Sequence, residues 1–271
     1  MANEQDLDLL KFNVQLWNAW RHKHPQYIPD LSQATFSSMT ARFADLRSVN
    51  LCHARLSRAD LIESDFRDAN LQDANLCEAK LLRANFSQAD LTNANLLGAD
   101  LCEASLSGAT LKGANLSHAD LTATDFVQAN LTEANLSHTN LSGANFREAN
   151  LTGANLSKAD LSTANLSAAN LTEANLSEAI LEGADLRRTI LTAADLRDAN
   201  LTSTNLSEAI LTNTDLTKAN LRDANLTRAN LSDANLTGAN LNDANFSGAV
   251  FQGVDLRDTI LNANFSQTQW K

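Results

Sequence analysis

The 271-residue chain carries 21 Lys plus Arg against 32 Asp plus Glu, a formal charge of −11 that excludes a nucleic-acid surface built on basic charge. Apolar residues make up 44% but aromatics only 5%, and most of the apolar share is Leu and Ala, the composition of a repeat rather than of an ordinary globule. Three cysteines supply no disulfide framework, the opening MANEQDLDLLKF shows no basic start ahead of an apolar run, and no apolar stretch is long enough to span a bilayer, so a cytoplasmic chain without membrane contact is expected.

The first predicted element is a helix over roughly residues 4 to 24. Leu7, Leu10, Val14 and Trp17 recur at helical spacing, Leu9, Leu16 and Trp20 widen the apolar side, and Asn3 can cap the start. Acidic Glu4, Asp6 and Asp8 precede basic Arg21 and Lys23 as the helix dipole prefers, and Pro25 ends the helix.

From Leu31 the sequence repeats every five residues. Stepping by five to Leu261 visits 47 positions, of which 39 are Leu, seven are Phe and one is Ala41. Two residues earlier, 36 of the 47 positions are Ala; one residue earlier, 36 are Asn or Asp. The unit is Ala-(Asn/Asp)-Leu-X-X. A period of five matches neither helix nor strand, so the chain must turn at every unit, with Leu and Ala directed to an axis and the Asn/Asp and X residues facing water. Coils then stack at about 4.8 Å, pairing backbone groups between them. Phe66, Phe86, Phe126, Phe146 and Phe246 are separated by multiples of 20, which favours four units per coil, and hence about twelve coils in all. After Leu261 the pattern changes, because Phe265 follows it by four residues and Trp270 comes next. The expected divisions are a helical cap and lead-in over 1–30, the repeat over 31–261 and a tail over 262–271. Leu10, Val14, Trp17 and Trp20 are the residues assigned to covering the first coil, with a docking helix as the alternative. The tail either folds Phe265 and Trp270 over the last coil or pairs that end with a second copy as a homodimer.

These residues resemble the pentapeptide-repeat family, whose motif is the same A(D/N)LXX. The resemblance implies an all-β solenoid, a right-handed quadrilateral parallel β-helix, here with an N-terminal α-helical cap. It fixes function far less tightly.

Candidate chemistry is weighed against what the repeat generates by itself. Carboxylate pairs such as Asp60 with Glu63, Asp100 with Glu103, Asp195 with Asp198 and Asp255 with Asp258 arise because two outward slots lie three residues apart. They need no catalytic explanation. His118 and His138 share a slot twenty residues apart, yet two imidazoles fall short of the three or four ligands zinc prefers. Cys52, Cys77 and Cys102 are spaced by 25, one coil plus one side, so they do not stack. No phosphate loop or nucleophile–His–acid set is present, and neither enzyme activity, nor a metal, nor a cofactor is expected.

Exceptions to the repeat carry more information. The Asn/Asp slot turns apolar at Ile180, Ile190, Ile210, Val250 and Ile260. Ile190, Ile210 and Val250 share one column and form a candidate partner contact, the alternative being a ladder that merely packs between coils. Negative charge gathers on two opposed sides, each near −5, and Asp60, Glu63, Asp100, Glu103, Asp120 and Asp160 form a candidate acidic surface. The first functional reading is therefore a non-catalytic protein-interaction scaffold with an unidentified protein partner. The second follows from the resemblance, since gyrase-protecting members of the family are similar in shape and charge to duplex DNA, which implies an acidic mimic that binds DNA gyrase or another DNA-binding protein. Basic residues on every side, among them Arg187, Arg188, Arg197, Arg222 and Arg228, count against the second.

Overall fold

The computed structural model describes residues 2–260 and 262–270, so Leu261, the last repeat position, lies outside the described residues. The chain divides into two units, Met1–Asn135 and Leu136–Lys271.

In both units the five-residue motif makes one side of a coil, and within each unit Asn/Asp-slot residues pair in parallel with the slot residue twenty further on. Examples are Asp30 with Asn50 and Asn75 with Asn95 in the first unit, and Asn155 with Asn175 and Ile190 with Ile210 in the second. Four such sides per coil agree with the phenylalanine spacing. Phe66 and Phe86 stack face to face with centroids 4.5 Å apart. The inward Leu and Ala positions are almost wholly excluded from water through the body of both units. Each buried Leu contributes about 1.5–3 kcal/mol of hydrophobic stabilisation. Where Thr replaces the inward Ala, its hydroxyl donates to a carbonyl, as Thr189 does to Leu186 O at 2.7 Å and Thr214 to Leu191 O at 2.7 Å. These buried hydroxyls are thereby satisfied.

One motif shows why the consensus has its form. In Ala174-Asn175-Leu176-Ser177-Glu178 all five backbone N–H groups find acceptors. Ala174 N donates to Leu171 O at 3.1 Å, Asn175 N to Ala154 O at 2.9 Å, Leu176 N to Asp195 O at 2.7 Å and Glu178 N to Arg197 O at 2.9 Å. The fifth, Ser177 N, reaches no carbonyl and donates to Asn175 Oδ1 at 2.9 Å. Asn or Asp thus serves as a local acceptor, an Asx turn closing the corner; Asp60 is an exception, its Oδ1 buried without a partner among the described residues. The expectation that this slot simply faces water is corrected: the side chain folds back on its own backbone and is usually half-buried. The second X, three residues beyond this slot, has positive φ from Gln33 to Asp258, and all nine glycines of the chain occupy this left-handed position.

The predicted single helix is two, α1 (Glu4–Phe12) and α2 (Val14–Lys23). Asn13 separates them with φ −163° and ψ 117°, and its side chain accepts from Leu16 N to start α2. A sequence scan for apolar spacing passes over this break because Asn13 acts as a cap while the periodicity continues across it. The helices lie on the open edge of the first coil. Asn18 uses its amide as a surrogate strand, donating to Phe43 O at 2.8 Å and accepting from Asp45 N at 2.8 Å. Trp17, fully buried, donates from Nε1 to Asp45 O at 2.8 Å. Asn3 N donates to Asp30 O at 2.7 Å, and Arg21 donates to the Arg47 and Tyr27 carbonyls. Leu10 is buried and lines, with Phe36, Met39 and Ala41, a gap of about 10 Å³ where Ala41 replaces the usual Leu. Val14 and Trp20 are half-buried, Trp20 packing edge-on against Tyr27 with centroids 5.2 Å apart. Leu16, assigned to the apolar side of the cap, is instead 51% exposed, and Phe12, just before the break at Asn13, is 81% exposed.

At the other end the coil continues past the point where the pentapeptide pattern breaks. Asn245 pairs with Asn264 and Val250 with Gln269, a spacing of 19 in place of 20. The chain drops one residue and restores the register, so that Phe265 stacks on Phe246 at 5.2 Å with planes 3° apart. Trp270 lies 4.8 Å from Phe251 and 5.6 Å from Phe265 while remaining half exposed.

Candidate functional site

Ile190 and Ile210 are placed by the coil register as direct neighbours in one column of the second unit. They are 37% and 40% exposed. Val250 is half-buried and stands further along the same column, separated from Ile210 by Asn230. Ile180 and Ile260, 42% and 54% exposed, occupy the opposed column. The isoleucines forgo the turn described above. Asn170, one coil before Ile190, accepts from Thr172 N at 3.1 Å and Thr172 Oγ1 at 2.7 Å, and Asn230, one coil after Ile210, accepts from Ser232 N at 3.0 Å and Ser232 Oγ at 2.7 Å. Isoleucine offers Thr192 and Thr212 no such acceptor.

The corner leading into this face is basic. It carries Arg147, Arg187, Arg188 and Arg228 against Glu148 and Glu208. Ser167 and Ala168 are small and interrupt it, leaving a notch of about 390 Å³ lined by Arg147, Glu148, Arg187, Arg188 and Glu208. Arg187 grips Asp185 through Nε at 2.8 Å and Nη2 at 2.6 Å, Arg188 Nε donates to Glu208 at 2.8 Å, and Arg147 Nη1 donates to Glu148 at 2.6 Å. The Arg187 hydrogen bonds draw the Asp185 carboxyl below its ordinary range despite partial burial, and Arg197 does the same to Asp195. In the sequence Arg187 and Arg188 only dilute the negative charge. In the structure the small residues one coil away create a hollow between these arginines, a feature no sequence motif signals.

The acidic candidates stand among basic residues. In the first unit Lys80 stands between Asp60 and Asp100 in the column that continues to Asp120. Asp60 is bonded by Arg42 at 2.7 Å, and Glu103 by Arg83 at 2.8 Å. The Arg83 hydrogen bonds lower the Glu103 pKa. Glu63 is exposed at a left-handed corner one coil before Arg83. Asp100, Asp120 and Asp160 each accept from a backbone N–H two residues on, at 3.2, 3.1 and 2.9 Å, and Asp160 belongs to the second unit. The other pairs are held by arginine too, Asp195 by Arg197 at 2.5 Å and Asp255 by Arg257 at 2.6 Å. His118 and His138 fall in different units. Cys52, Cys77 and Cys102 are free and half-buried, and burial raises the thiol pKa of Cys52 and Cys102. Among the described residues no three His, Cys, Asp or Glu side chains gather as a metal site, and no helix is long and apolar enough to cross a membrane.

The Pentapeptide repeats family model matches over residues 30–68, 69–108, 103–137, 129–167, 169–207, 194–233 and 224–269. No curated protein matches the chain. Among solved structures it is similar to HetL, a pentapeptide repeat protein involved in heterocyst differentiation regulation from the cyanobacterium Nostoc sp. strain PCC 7120, at 32% identity over 78% of this chain and 90% of that one, with a TM-score of 0.34. It is also similar to QnrB1, a plasmid-mediated fluoroquinolone resistance protein, at 18% identity over 71% of this chain and 87% of that one, with a TM-score of 0.48. A third is the pentapeptide repeat protein Rfr23 from the cyanobacterium Cyanothece 51142, at 39% identity over 41% of this chain and 60% of that one, with a TM-score of 0.16. The repeat motif, matched over most of the sequence, places the chain in the pentapeptide-repeat family, with its right-handed quadrilateral β-helix.

Proposed function

We propose that the chain is a non-catalytic protein-interaction scaffold whose second unit meets its partner through the face bearing Ile190 and Ile210. The observation that carries this reading is the paired exposure of two isoleucines where the fold calls for Asn or Asp. An aliphatic side chain there forfeits a backbone acceptor and stays more than a third exposed, so neither hydrogen bonding nor full burial accounts for it. Contact with a partner supplies the missing burial. The acidic-mimic reading has less support, because arginines pair with Asp60 and Glu103 and Lys80 divides the column. The test is affinity capture from native lysate with the wild-type chain and with Ile190→Asn/Ile210→Asn, quantified by mass spectrometry. The double variant restores the consensus motif and keeps the fold. Proteins retained by the wild type and lost by the variant are the expected result; identical captured sets overturn the reading.

A further inference from the structure

We propose that the notch over Ser167 and Ala168 is the seat for a carboxylate side chain of a partner segment whose aliphatic residues lie along Ile190 and Ile210. This rests on the scaffold reading and adds the chemistry of its ligand.

Three observations meet at this corner. The first is donor supply. A guanidinium has five N–H groups. Arg188 donates only Nε within the protein, to Glu208, and Arg187 leaves Nη1 unused after binding Asp185. Arg147 donates only Nη1, to Glu148. Each arginine at the rim therefore retains donors with no protein acceptor among the described residues. The Asp185 carboxylate does not line the notch and is further held by Arg187 N at 3.1 Å, so the negative groups at the rim are Glu148 and Glu208 against three guanidinium groups. The second is shape. Arg147 and Arg187 stand two coils apart, about 10 Å, with the short side chains of the intervening coil between them. That gap admits one carboxylate between arginine forks, the geometry that makes such contacts strong. The third is adjacency. Ile190 and Ile210 follow Arg188 and Glu208 by two residues, so the charged hollow and the apolar pair are read by one segment.

Charge selects the occupant. The chain as a whole carries −11, which repels a polyanion such as nucleic acid. A short protein segment with one or two acidic residues beside aliphatic ones meets the local positive corner without confronting the rest of that charge.

The experiment selects phage-displayed random peptides on the immobilised full chain, then measures synthetic copies of the enriched peptides by fluorescence polarisation against four proteins. These are the wild type, Ala168→Glu, Arg187→Gln/Arg188→Gln and Ile190→Asn/Ile210→Asn. Ala168→Glu plugs the notch with a tethered carboxylate while leaving every arginine in place, and Glu already occupies the same left-handed slot at Glu148 and Glu208, so folding is preserved. Enriched peptides are expected to pair Asp or Glu with Leu, Ile or Val, and to bind about tenfold or more weakly to each variant. Inorganic phosphate at the same ionic strength as a chloride control is expected to compete weakly, because it lacks the aliphatic contact. Peptides that need the isoleucines but ignore Ala168→Glu and the arginine variant overturn the carboxylate seat and leave the scaffold reading standing. Peptides indifferent to the isoleucine variant, enrichment of basic or uncharged peptides, or no enrichment at all overturn the proposal.

Discussion

Asn175→Ala tests the hydrogen-bond economy on which the repeat depends. Asn175 Oδ1 is the acceptor for both Ser177 N at 2.9 Å and Ser177 Oγ at 2.7 Å. Alanine removes both bonds without touching the inward Leu176 or the coil-to-coil ladder. The hydroxyl can turn to water, but the amide lies in a half-buried corner already committed to its turn. Each net hydrogen bond is worth about 0.5–1.5 kcal/mol, and loss of the analogous acceptor at a helix N-cap costs about 0.5–2 kcal/mol. A destabilisation of about 1–2 kcal/mol is expected, whereas Asn175→Asp, which keeps Oδ1, should stay within about 0.5 kcal/mol of wild type at neutral pH. Urea midpoints report the global effect. Because repeat arrays open locally, amide hydrogen exchange at Ser177 supplies the local one, with faster exchange in Asn175→Ala alone. If Asn175→Ala matched wild type in both midpoint and Ser177 exchange, water would be serving that amide as well as Asn does, and the explanation of the consensus would be wrong.

Three further outcomes are expected. Asn18→Ala deletes both bonds to the Phe43 carbonyl and the Asp45 amide, and should raise exchange in the first coil by about tenfold while leaving the second unit unchanged. Thr163 is β-branched at φ 57°, so Thr163→Gly should relieve left-handed strain and stabilise the second unit by about 0.5–1 kcal/mol by urea denaturation. Asp185 and Asp195 have folded pKa values depressed by hydrogen bonds from Arg187 and Arg197, so the folded state binds fewer protons than the unfolded state near the ordinary carboxyl pKa of about 4. Their contribution is fully present above that value and is lost as pH falls through the folded values. Asp185→Asn/Asp195→Asn keeps the turn acceptors and should flatten the acid limb of stability against pH, read as urea midpoints.

The inward half of the repeat was legible because its apolar positions keep one register from Leu31 to Leu261, and the spacing of the phenylalanines favours a coil of twenty residues. The outward half was harder. Asn and Asp are polar, and polarity alone says "toward water"; their actual task, holding the next-but-one amide, leaves no periodic signal separate from the repeat itself. Asn13 was hidden because apolar spacing runs across it, and the tail looked like a departure because dropping one residue erases the pentapeptide phase while preserving the stack of Phe265 on Phe246. Of the site, Ile190 and Ile210 were visible as broken rules. The hollow beside them was not, since small residues in an outward slot conform to the motif and only neighbouring arginines turn them into a recess.

The corner acceptor tolerates either of two side chains that differ by one unit of charge. Of the 36 motifs with Asn or Asp in that slot, 23 carry Asn and 13 carry Asp, and an oxygen closes the corner with either, as at Asn175 and Asp160. Surface electrostatics can therefore drift, residue by residue, while the folding code stays untouched. Exchanging an amide for an acid at such a corner rewrites the charge a partner meets without altering any hydrophobic position.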